Sequence, residues 1–118
     1  MINIYNINEL DTFICNNINK YVILLYFGSK YCQPCQKLLT FLDNDDNKLL
    51  MPKLIVGYID INNHSDDIGD IYNISILPTQ ILINLTNDDK IIQFAKIEGY
   101  DIIKLQMEYN NYVNQYNI

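Results

Sequence analysis

The amino-acid sequence predicts an α/β fold: a central mixed sheet of four to five strands, flanked by helices on both faces. The first observation is that segments rich in β-forming residues alternate with segments whose apolar residues recur at helical spacing. The second is that residues 21–27 form a continuous apolar run, which is typical of a strand buried on both faces, and that residues 54–61 form a second, largely apolar segment. The third is the length of 118 residues, which fits one domain with its own core. We therefore assign residues 1–118 to a single domain.

The N-terminal part of the chain predicts a strand, a helix and a second strand. Residues 2–5 form a short strand, and a helix follows over residues 6–18. Asn6 can cap this helix, and Glu9 three residues later completes a capping box, in which the two side chains satisfy backbone N–H groups at the helix start. The apolar run at 21–27 is then the central strand of the sheet.

A second helix and an acidic stretch come next. Gly28 and Ser29 end the central strand, and helical spacing returns from Pro34 to about Asp43. Proline is tolerated in the first turn of a helix, where its missing N–H costs nothing. The acidic stretch at 43–47 lacks the glycine and the glutamate that a calcium-binding loop needs further along, so we interpret it as a solvated helix end.

The alternation continues in the second half of the chain. The apolar run at 54–61 is a second buried strand, and residues 64–72 form a short helix with Ser65 as its cap. Residues 78–85 form a third strand. Residues 90–98 form a fourth strand, whose alternating pattern indicates a half-exposed position.

Gly99 ends the fourth strand, and Asp101 caps a final helix that extends to residue 116. One face of this helix carries a stripe that we interpret as core and rim packing: Ile102, Leu105, Tyr109, Tyr112 and Tyr116. Because βαβ units connect parallel strands, we expect parallel crossovers between the first four strands. A four-residue turn closes the last two strands into a hairpin.

Composition and charge exclude several kinds of partner. The net charge is −6 and the pI is about 4.4, without any lysine-rich stretch, so we expect no binding to nucleic acid or to an anionic membrane surface. The longest apolar run is too short to span a bilayer, and the N-terminus lacks the basic and apolar regions of a secretory signal. We therefore expect a cytoplasmic protein, with a monomer as its working form.

The pair of cysteines at Cys32 and Cys35 is the strongest indication of chemistry. Cys32 follows the central strand where the next helix begins, and α/β sheets place functional groups there. The free N–H groups and the positive dipole end of a helix start both favour a thiolate, so we expect the pKa of Cys32 to be lowered. Cys32 would attack a substrate disulfide, and Cys35, one turn further along, would resolve the mixed disulfide. Pro34 stiffens the segment between them.

A metal site is the alternative interpretation of a Cys-x-x-Cys pair. Zinc would need two further ligands, and without carboxylates only Cys15 and His64 could supply them. Neither residue belongs to a second Cys-x-x-Cys pair. We interpret Cys15 as a buried thiol within the first helix and His64 as a solvated loop residue, and we assign no metal ligand.

A proline far from the cysteines adds a second feature. Pro78 stands at the start of a buried strand, and proline within a sheet is expected only at an edge, a strand start or a bulge. Since cis peptide bonds are almost confined to X–Pro, the Leu77–Pro78 bond is a candidate for the cis form. On its own, a proline at a strand start is weak evidence of a functional site. Combined with a Cys-x-x-Cys pair after the second predicted strand, it is a specific signal.

The chain thus resembles the thioredoxin family over nearly all of its length. The resemblance rests on YCQPC at residues 31–35, ILPT at residues 76–79, Gly99 before the last helix, and the order of elements, including an extra strand and helix at the N-terminus. It implies a thioredoxin fold.

The resemblance also implies roles for single residues. Cys32 matches the attacking nucleophile of the family and Cys35 the resolving thiol. Pro78 matches a cis-proline that packs beside the disulfide, and Leu77 matches the residue that offers backbone groups to the substrate. We assign substrate contacts to these last two and to the residues around Cys32, namely Tyr31, Gln33 and Pro34.

Several positions depart from the usual pattern of the family. Tyr31 replaces a tryptophan, and Gln33 replaces a glycine. Tyr26 stands where the family buries an aspartate beneath the motif, and we place the partner lysine of that aspartate at Val56. Losing both members together avoids a lone buried charge. It also predicts slower proton transfer at Cys35, unless the Tyr26 hydroxyl or a water serves.

The resemblance implies a thiol–disulfide oxidoreductase that reduces protein disulfides without a bound cofactor. A thioredoxin reductase-like donor that uses NADPH would supply its electrons. Two alternatives stay open: a disulfide oxidase or isomerase, and a non-catalytic binding module of the same fold. The presence of Cys32, Cys35 and Pro78 together argues against the binding module, since a pure scaffold needs none of them.

Overall fold

The computed structural model describes residues 1–63 and 68–118. Within these ranges the strands are β1 (Ile2–Asn3), β2 (Val22–Gly28), β3 (Leu54–Asp60), β4 (Thr79–Leu85) and β5 (Ile91–Glu98). The helices are α1 (Ile7–Asn17), α2 (Gln33–Asp43), α3 (Asp45–Lys48), α4 (Ile68–Ile71) and α5 (Ile102–Tyr116). The order of elements is the predicted one, with α3 as an addition.

The described strands form one mixed sheet in the order β1-β3-β2-β4-β5, so β2 lies at the centre as its continuous apolar run predicts. β2 is parallel to β3 and antiparallel to β4. β4 and β5 form the predicted hairpin, with an irregularity in register between Leu82 and Ile83. The predicted α/β fold with a mixed sheet is therefore confirmed.

The direction of β4 differs from the prediction. The alternation of strands and helices predicts that β4 runs parallel to β3, but β4 runs in the opposite direction. Asp60 at the end of β3 pairs with Gly28, and Thr79 at the start of β4 pairs with Phe27. The connection therefore leaves and re-enters the sheet at the same end. A βαβ unit requires re-entry at the opposite end, and the pattern of apolar residues does not record which end the chain chooses.

β2 is buried along its whole length and separates two apolar layers, because successive side chains of a strand point to opposite faces. The layer shared with α1 and α4 takes Ile23, Leu25 and Phe27. The layer shared with α2 and α5 takes Val22, Leu24 and Tyr26. Helices thus cover both faces, as predicted.

The predicted caps of the first and last helices are both present. The Asn6 Oδ1 accepts a hydrogen bond from the backbone N–H of Glu9 at 2.9 Å, and the Glu9 carboxylate accepts one from the backbone N–H of Tyr5 at 3.0 Å. In the usual capping box the glutamate accepts from the backbone N–H of the capping residue itself. Here it accepts from the residue before the cap, Tyr5. The Asp101 carboxylate accepts from the backbone N–H of Lys104 at 3.0 Å and starts α5.

β3 is less buried than its apolar run predicts. Gly57 and Ile59 are buried, whereas Leu54, Ile55 and Val56 are half-buried. Beyond β3 the described sheet continues only with the two residues of β1. A cavity of about 370 Å³ lies against the three half-buried residues. β3 is therefore closer to an edge strand than to a central one.

The acidic stretch after α2 contains a short helix that the sequence does not predict. Asn44 ends α2, and its Oδ1 then accepts from the backbone N–H of Asn47 at 3.1 Å, which starts α3. Asp45 and Lys48 form an exposed ion pair at 3.7 Å. A helix of four residues shows no apolar period, so only its capping residue could have indicated it.

The tyrosines of α5 are packing residues, as the stripe predicts. Leu105, Tyr109 and Tyr112 are buried. The Tyr112 hydroxyl donates to the carbonyl oxygen of Ile83 at 2.7 Å, and the Tyr109 hydroxyl accepts from the backbone N–H of Lys53 at 2.9 Å. These bonds connect α5 to the sheet and to the segment that enters β3.

α4 is the described part of the helix predicted over 64–72. Its predicted cap, Ser65, and the loop residue His64 lie outside the described residues. Over the ranges that the structure describes, no helix has the length and apolar character that crossing a membrane requires.

Candidate active site

Ser29 organises the loop between β2 and α2. Its Oγ accepts hydrogen bonds from the backbone N–H of Tyr31 at 3.2 Å and from the Asn62 side chain at 2.7 Å. Its carbonyl oxygen accepts from the backbone N–H of Cys32 at 3.2 Å and from the Gln36 side chain at 3.1 Å. One buried residue therefore ties the loop to the segment after β3 and to α2. In the sequence Ser29 marks only a strand end, so this role is not predictable there.

Cys32 is the capping residue of α2. Its backbone is extended, with φ −100° and ψ 111°, and its Sγ accepts from the backbone N–H of Cys35 at 3.3 Å. The helix begins at Gln33, one residue before the predicted start. A sulfur in this place meets free N–H groups and the positive end of the helix dipole, and both favour the thiolate over the thiol.

Cys32 and Cys35 are joined by a disulfide, with their Cα atoms 5.2 Å apart. Their exposures differ, because Cys32 is half-buried and Cys35 is fully buried. Of these two sulfurs, only that of Cys32 is open to a disulfide of a second molecule, and Cys35 is placed to react with Cys32. The asymmetry supports the predicted division into an attacking and a resolving thiol.

Tyr26 lies beneath the disulfide. Its side chain is fully buried, and its hydroxyl donates a hydrogen bond to the carbonyl oxygen of Cys35 at 2.5 Å. Burial raises the pKa of Tyr26 well above its ordinary value, and the neighbouring Tyr58 raises it further. The position therefore holds a neutral hydrogen-bond donor and not a charge.

Tyr58, and not Val56, is the neighbour of Tyr26 on the next strand. The register pairs Tyr26 with Tyr58 and Leu24 with Val56, and the two tyrosine rings have centroids 5.4 Å apart. The assignment of the partner position to Val56 is therefore wrong. A continuous apolar run carries no mark of register, and only the strand pairing fixes it. Burial raises the pKa of Tyr58, and the Asp60 carboxylate adds to the shift.

Pro78 directly precedes β4, which lies beside β2 on the side opposite β3. The Leu77–Pro78 peptide bond is cis, and Pro78 is buried directly before β4. The carbonyl oxygen of Pro78 accepts from the backbone N–H of Gly99 at 2.7 Å. The carbonyl oxygen of Gly99 accepts from the side chain of the buried Gln80 at 3.2 Å. Gly99 follows β5 directly and has φ +87°, a conformation that favours glycine.

The predicted substrate contacts lie at one end of the sheet. Tyr31 is 78% exposed, and the Lys30 ammonium lies 5.1 Å from the centroid of its ring. Gln33 and Pro34 are exposed in the first turn of α2, whereas Leu77 is half-buried. The cysteine side of the site thus offers an exposed aromatic and polar rim, and the proline side is more enclosed.

Cys15 is exposed, so its interpretation as a buried thiol is wrong. α1 buries Phe13, Ile14 and Asn17, and one residue beyond Ile14 the helix turns by about 100° toward solvent. Asn17 takes an inward position because its side chain donates to the carbonyl oxygen of Phe13 at 2.7 Å. Among residues 1–63 and 68–118, no group of three or more His, Cys, Asp or Glu side chains is placed to hold a metal ion.

Comparison with known proteins agrees with this geometry. A family model described as Thioredoxin matches residues 3–114. A thioredoxin of Chlamydia pneumoniae is 30% identical to this chain over 88 residues, which cover 75% of this chain and 79% of that protein.

Solved structures show the same architecture. The thioredoxin of Fasciola hepatica aligns with a TM-score of 0.76 at 18% identity, covering 94% of this chain and 98% of that chain. The thioredoxin of Trichomonas vaginalis aligns with a TM-score of 0.80 at 16% identity, covering 95% of this chain and 96% of that chain. At these identities the likeness concerns the fold.

Proposed function

This chain belongs to the thioredoxin family and is a thiol–disulfide oxidoreductase, and from that premise we propose that it reduces disulfide bonds in other proteins. The observation that carries the proposal is the asymmetry of the cysteine pair. Cys32 is half-buried, and its sulfur accepts a hydrogen bond from the backbone N–H of Cys35 at a helix start. Cys35 is fully buried. The pair therefore has one reactive and one protected thiol.

In the first step the Cys32 thiolate attacks one sulfur of a substrate disulfide. A mixed disulfide forms between Cys32 and the substrate, and the other substrate sulfur leaves as a thiolate. The residues assigned to hold the substrate chain are Tyr31, Gln33, Pro34, Leu77 and Pro78.

In the second step Cys35 resolves the mixed disulfide. Its thiol gives its proton to solvent, and the sulfur attacks the Cys32 sulfur. The Cys32–Cys35 bond forms, the bond from Cys32 to the substrate breaks, and the second substrate sulfur leaves as a thiolate that takes a proton from solvent. Two electrons have then moved from the cysteine pair to the substrate.

Trapping of the mixed disulfide tests this function. Cys35→Ser removes the resolving thiol, so a covalent complex through Cys32 should accumulate with a disulfide-containing protein. Because Cys15 is exposed and can form mixed disulfides itself, the variant and its controls should all carry Cys15→Ser. Cys32→Ser is the matched control and should trap nothing. If no complex accumulates through Cys32, the chain is a binding module and the proposal fails.

The direction of electron flow is tested by the reduction potential of the pair. Thioredoxins have potentials of about −270 mV, protein disulfide isomerase about −180 mV, and strong oxidants about −120 mV. We expect a value near the first of these, measured by equilibration with a dithiol buffer and alkylation. A value above about −180 mV would make the chain an oxidase or isomerase.

We also place this reductant in the cytoplasm, as a monomer recharged by a reductase that uses NADPH. A dithiol that reduces protein disulfides must be regenerated after each cycle, which a reducing compartment supports. NADPH should therefore be consumed when the chain, a thioredoxin reductase and a protein disulfide are combined, and Cys32→Ser should abolish that consumption. Regeneration by glutathione but not by the reductase would contradict this choice of donor.

A further inference from the structure

Building on the proposed function, we propose that Tyr26 is a positioning residue of the cysteine pair, whose hydroxyl holds the Cys35 turn of α2 in the geometry that closes the disulfide. Tyr26 is fully buried, so a substrate at the surface does not reach its side chain. It acts through the backbone of Cys35 and takes no part in the exchange of bonds.

The backbone of Cys35 is held on both sides. Its N–H donates to the Cys32 sulfur at 3.3 Å, and its carbonyl oxygen accepts from the Tyr26 hydroxyl at 2.5 Å. The first contact joins the two cysteines to each other. The second joins the first turn of α2 to β2, the central strand of the sheet, so the turn is anchored to the most buried element of the molecule.

The Tyr26 ring has little room to move. A Cβ atom added to Gly28 would lie 2.8 Å from the Tyr26 ring, 3.2 Å from the Tyr58 ring and 3.4 Å from the Cys35 Cβ. These three side chains therefore pack around Gly28 at the end of β2 and leave no room for a side chain there. The Tyr58 ring packs against Tyr26 from the neighbouring strand. A ring held in this way directs its hydroxyl at one acceptor.

The consequence for the chemistry concerns the reduced pair. When the disulfide opens, the covalent restraint on Cys35 is lost, but the hydrogen bond from Tyr26 still restrains the turn. A restrained dithiol loses less conformational freedom when the disulfide closes again. Without the hydroxyl, the dithiol form gains freedom and the disulfide becomes less stable relative to it. Loss of Tyr26 should therefore raise the reduction potential.

The same argument predicts that the effect does not depend on pH. Within the described residues, the Tyr26 hydroxyl bonds to the Cys35 carbonyl oxygen, and the Tyr58 ring packs against the Tyr26 ring. Tyr58 raises the pKa of Tyr26, and Asp60 raises the pKa of Tyr58. Tyr26 stays protonated at neutral pH, so its hydrogen bond is present throughout that range. A proton carrier would instead change the shape of the pH profile when removed.

The test compares Tyr26→Phe with Tyr112→Phe. Both side chains are buried, and both hydroxyls donate to a backbone carbonyl oxygen, but Tyr112 bonds to Ile83, away from the cysteines. A buried hydrogen bond changes an equilibrium constant by a factor of about five to ten. Tyr26→Phe should therefore raise the potential by up to about 30 mV, the equivalent of tenfold for two electrons. Tyr112→Phe should lower the stability against unfolding similarly and leave the potential unchanged.

Gly28→Ala provides a second variant that keeps the hydroxyl but displaces the ring, and it should raise the potential in the same direction. An unchanged potential in Tyr26→Phe, an equal shift in Tyr112→Phe, or a shift of Tyr26→Phe that varies across the neutral pH range would each overturn the proposal. The potential is measured on the pair itself, without a protein substrate. Failure here is therefore distinct from failure to reduce proteins.

Discussion

The position of a cysteine on its helix decides what its thiol can do. Cys32 caps α2 and lies against N–H groups that no helical carbonyl satisfies. Cys15 lies inside α1, where the surrounding N–H groups are already bonded, and it is exposed to solvent. Exposure alone would make Cys15 the more accessible thiol. The local electrostatics at the helix start favour Cys32.

This contrast predicts different rates of alkylation. In a Cys35→Ser variant both remaining cysteines are free, and we expect iodoacetamide at neutral pH to modify Cys32 at least about tenfold faster than Cys15, because the thiolate is the reacting form. Mass spectrometry of the two peptides over time gives both rates in one sample. Equal rates, or a faster Cys15, would show that the helix start does not activate Cys32.

For single residues, the sequence predicts the reactive groups better than the residues that position them. The cysteine pair and Pro78 belong to short motifs, and their types alone indicate what they do. The role of Ser29 depends on the geometry of its loop, and the role of Tyr58 depends on the register of β2 and β3. Neither feature can be inferred from the residue types alone. The wrong assignment to Val56 has the same origin.

Gly57 lies where three elements converge. A Cβ atom added there would lie 2.6 Å from the Ile4 side chain and 2.8 Å from the Phe13 ring. β3 can therefore approach the segment after β1 and helix α1 closely only because it carries no side chain at this position. The small residue sets the packing distance between sheet and helix.

Gly57→Ala should consequently destabilise the fold by about 1–3 kcal/mol through overpacking. The reduction potential should not change, because the cysteines are joined to β2 and α2. Denaturant unfolding measures the first and a dithiol buffer the second. Combining Gly57→Ala with Phe13→Leu should cost less than the sum of the two single changes, and strict additivity would contradict the steric explanation.

Among the elements, those with a clear period or a continuous apolar run are predicted with nearly the observed bounds. The caps Asn6 and Asp101 are predicted because the capping residue and its target are only three residues apart. The direction of β4 is not predicted, since it depends on where an 18-residue connection re-enters the sheet. α3 is too short to show a period.

For the molecule as a whole, tyrosine is the main aromatic residue, with ten tyrosines and no tryptophan. Burial raises the pKa of four of them in the described part of the chain: Tyr26, Tyr58, Tyr72 and Tyr112. Their hydroxyls ionise more readily in the unfolded chain than in the folded one. The stability of the whole fold is thereby linked to pH on the alkaline side.

The sign of this link follows from the raised pKa values. Their contribution is fully present below the unfolded value of about 10 and is lost as the pH rises through the folded values. Well above pH 10, Tyr26 and Tyr112, whose pKa values are raised furthest, should each lower the free energy of unfolding by up to about 1.4 kcal/mol per pH unit. Urea unfolding at several alkaline pH values measures the slope. Tyr26→Phe combined with Tyr112→Phe should make it shallower, and an unchanged slope would refute the assignment.

The order of synthesis gives the placement of Pro78 and Gly99 a further consequence. The cysteines are translated long before the segment on the opposite side of the site, where the carbonyl oxygen of Pro78 accepts from the backbone N–H of Gly99. A growing chain that has left the ribosome up to about residue 60 therefore carries both thiols without the enclosing strands β4 and β5. If the proposed substrate contacts at Leu77 and Pro78 hold, we expect substrate selectivity to begin only when this hairpin is complete.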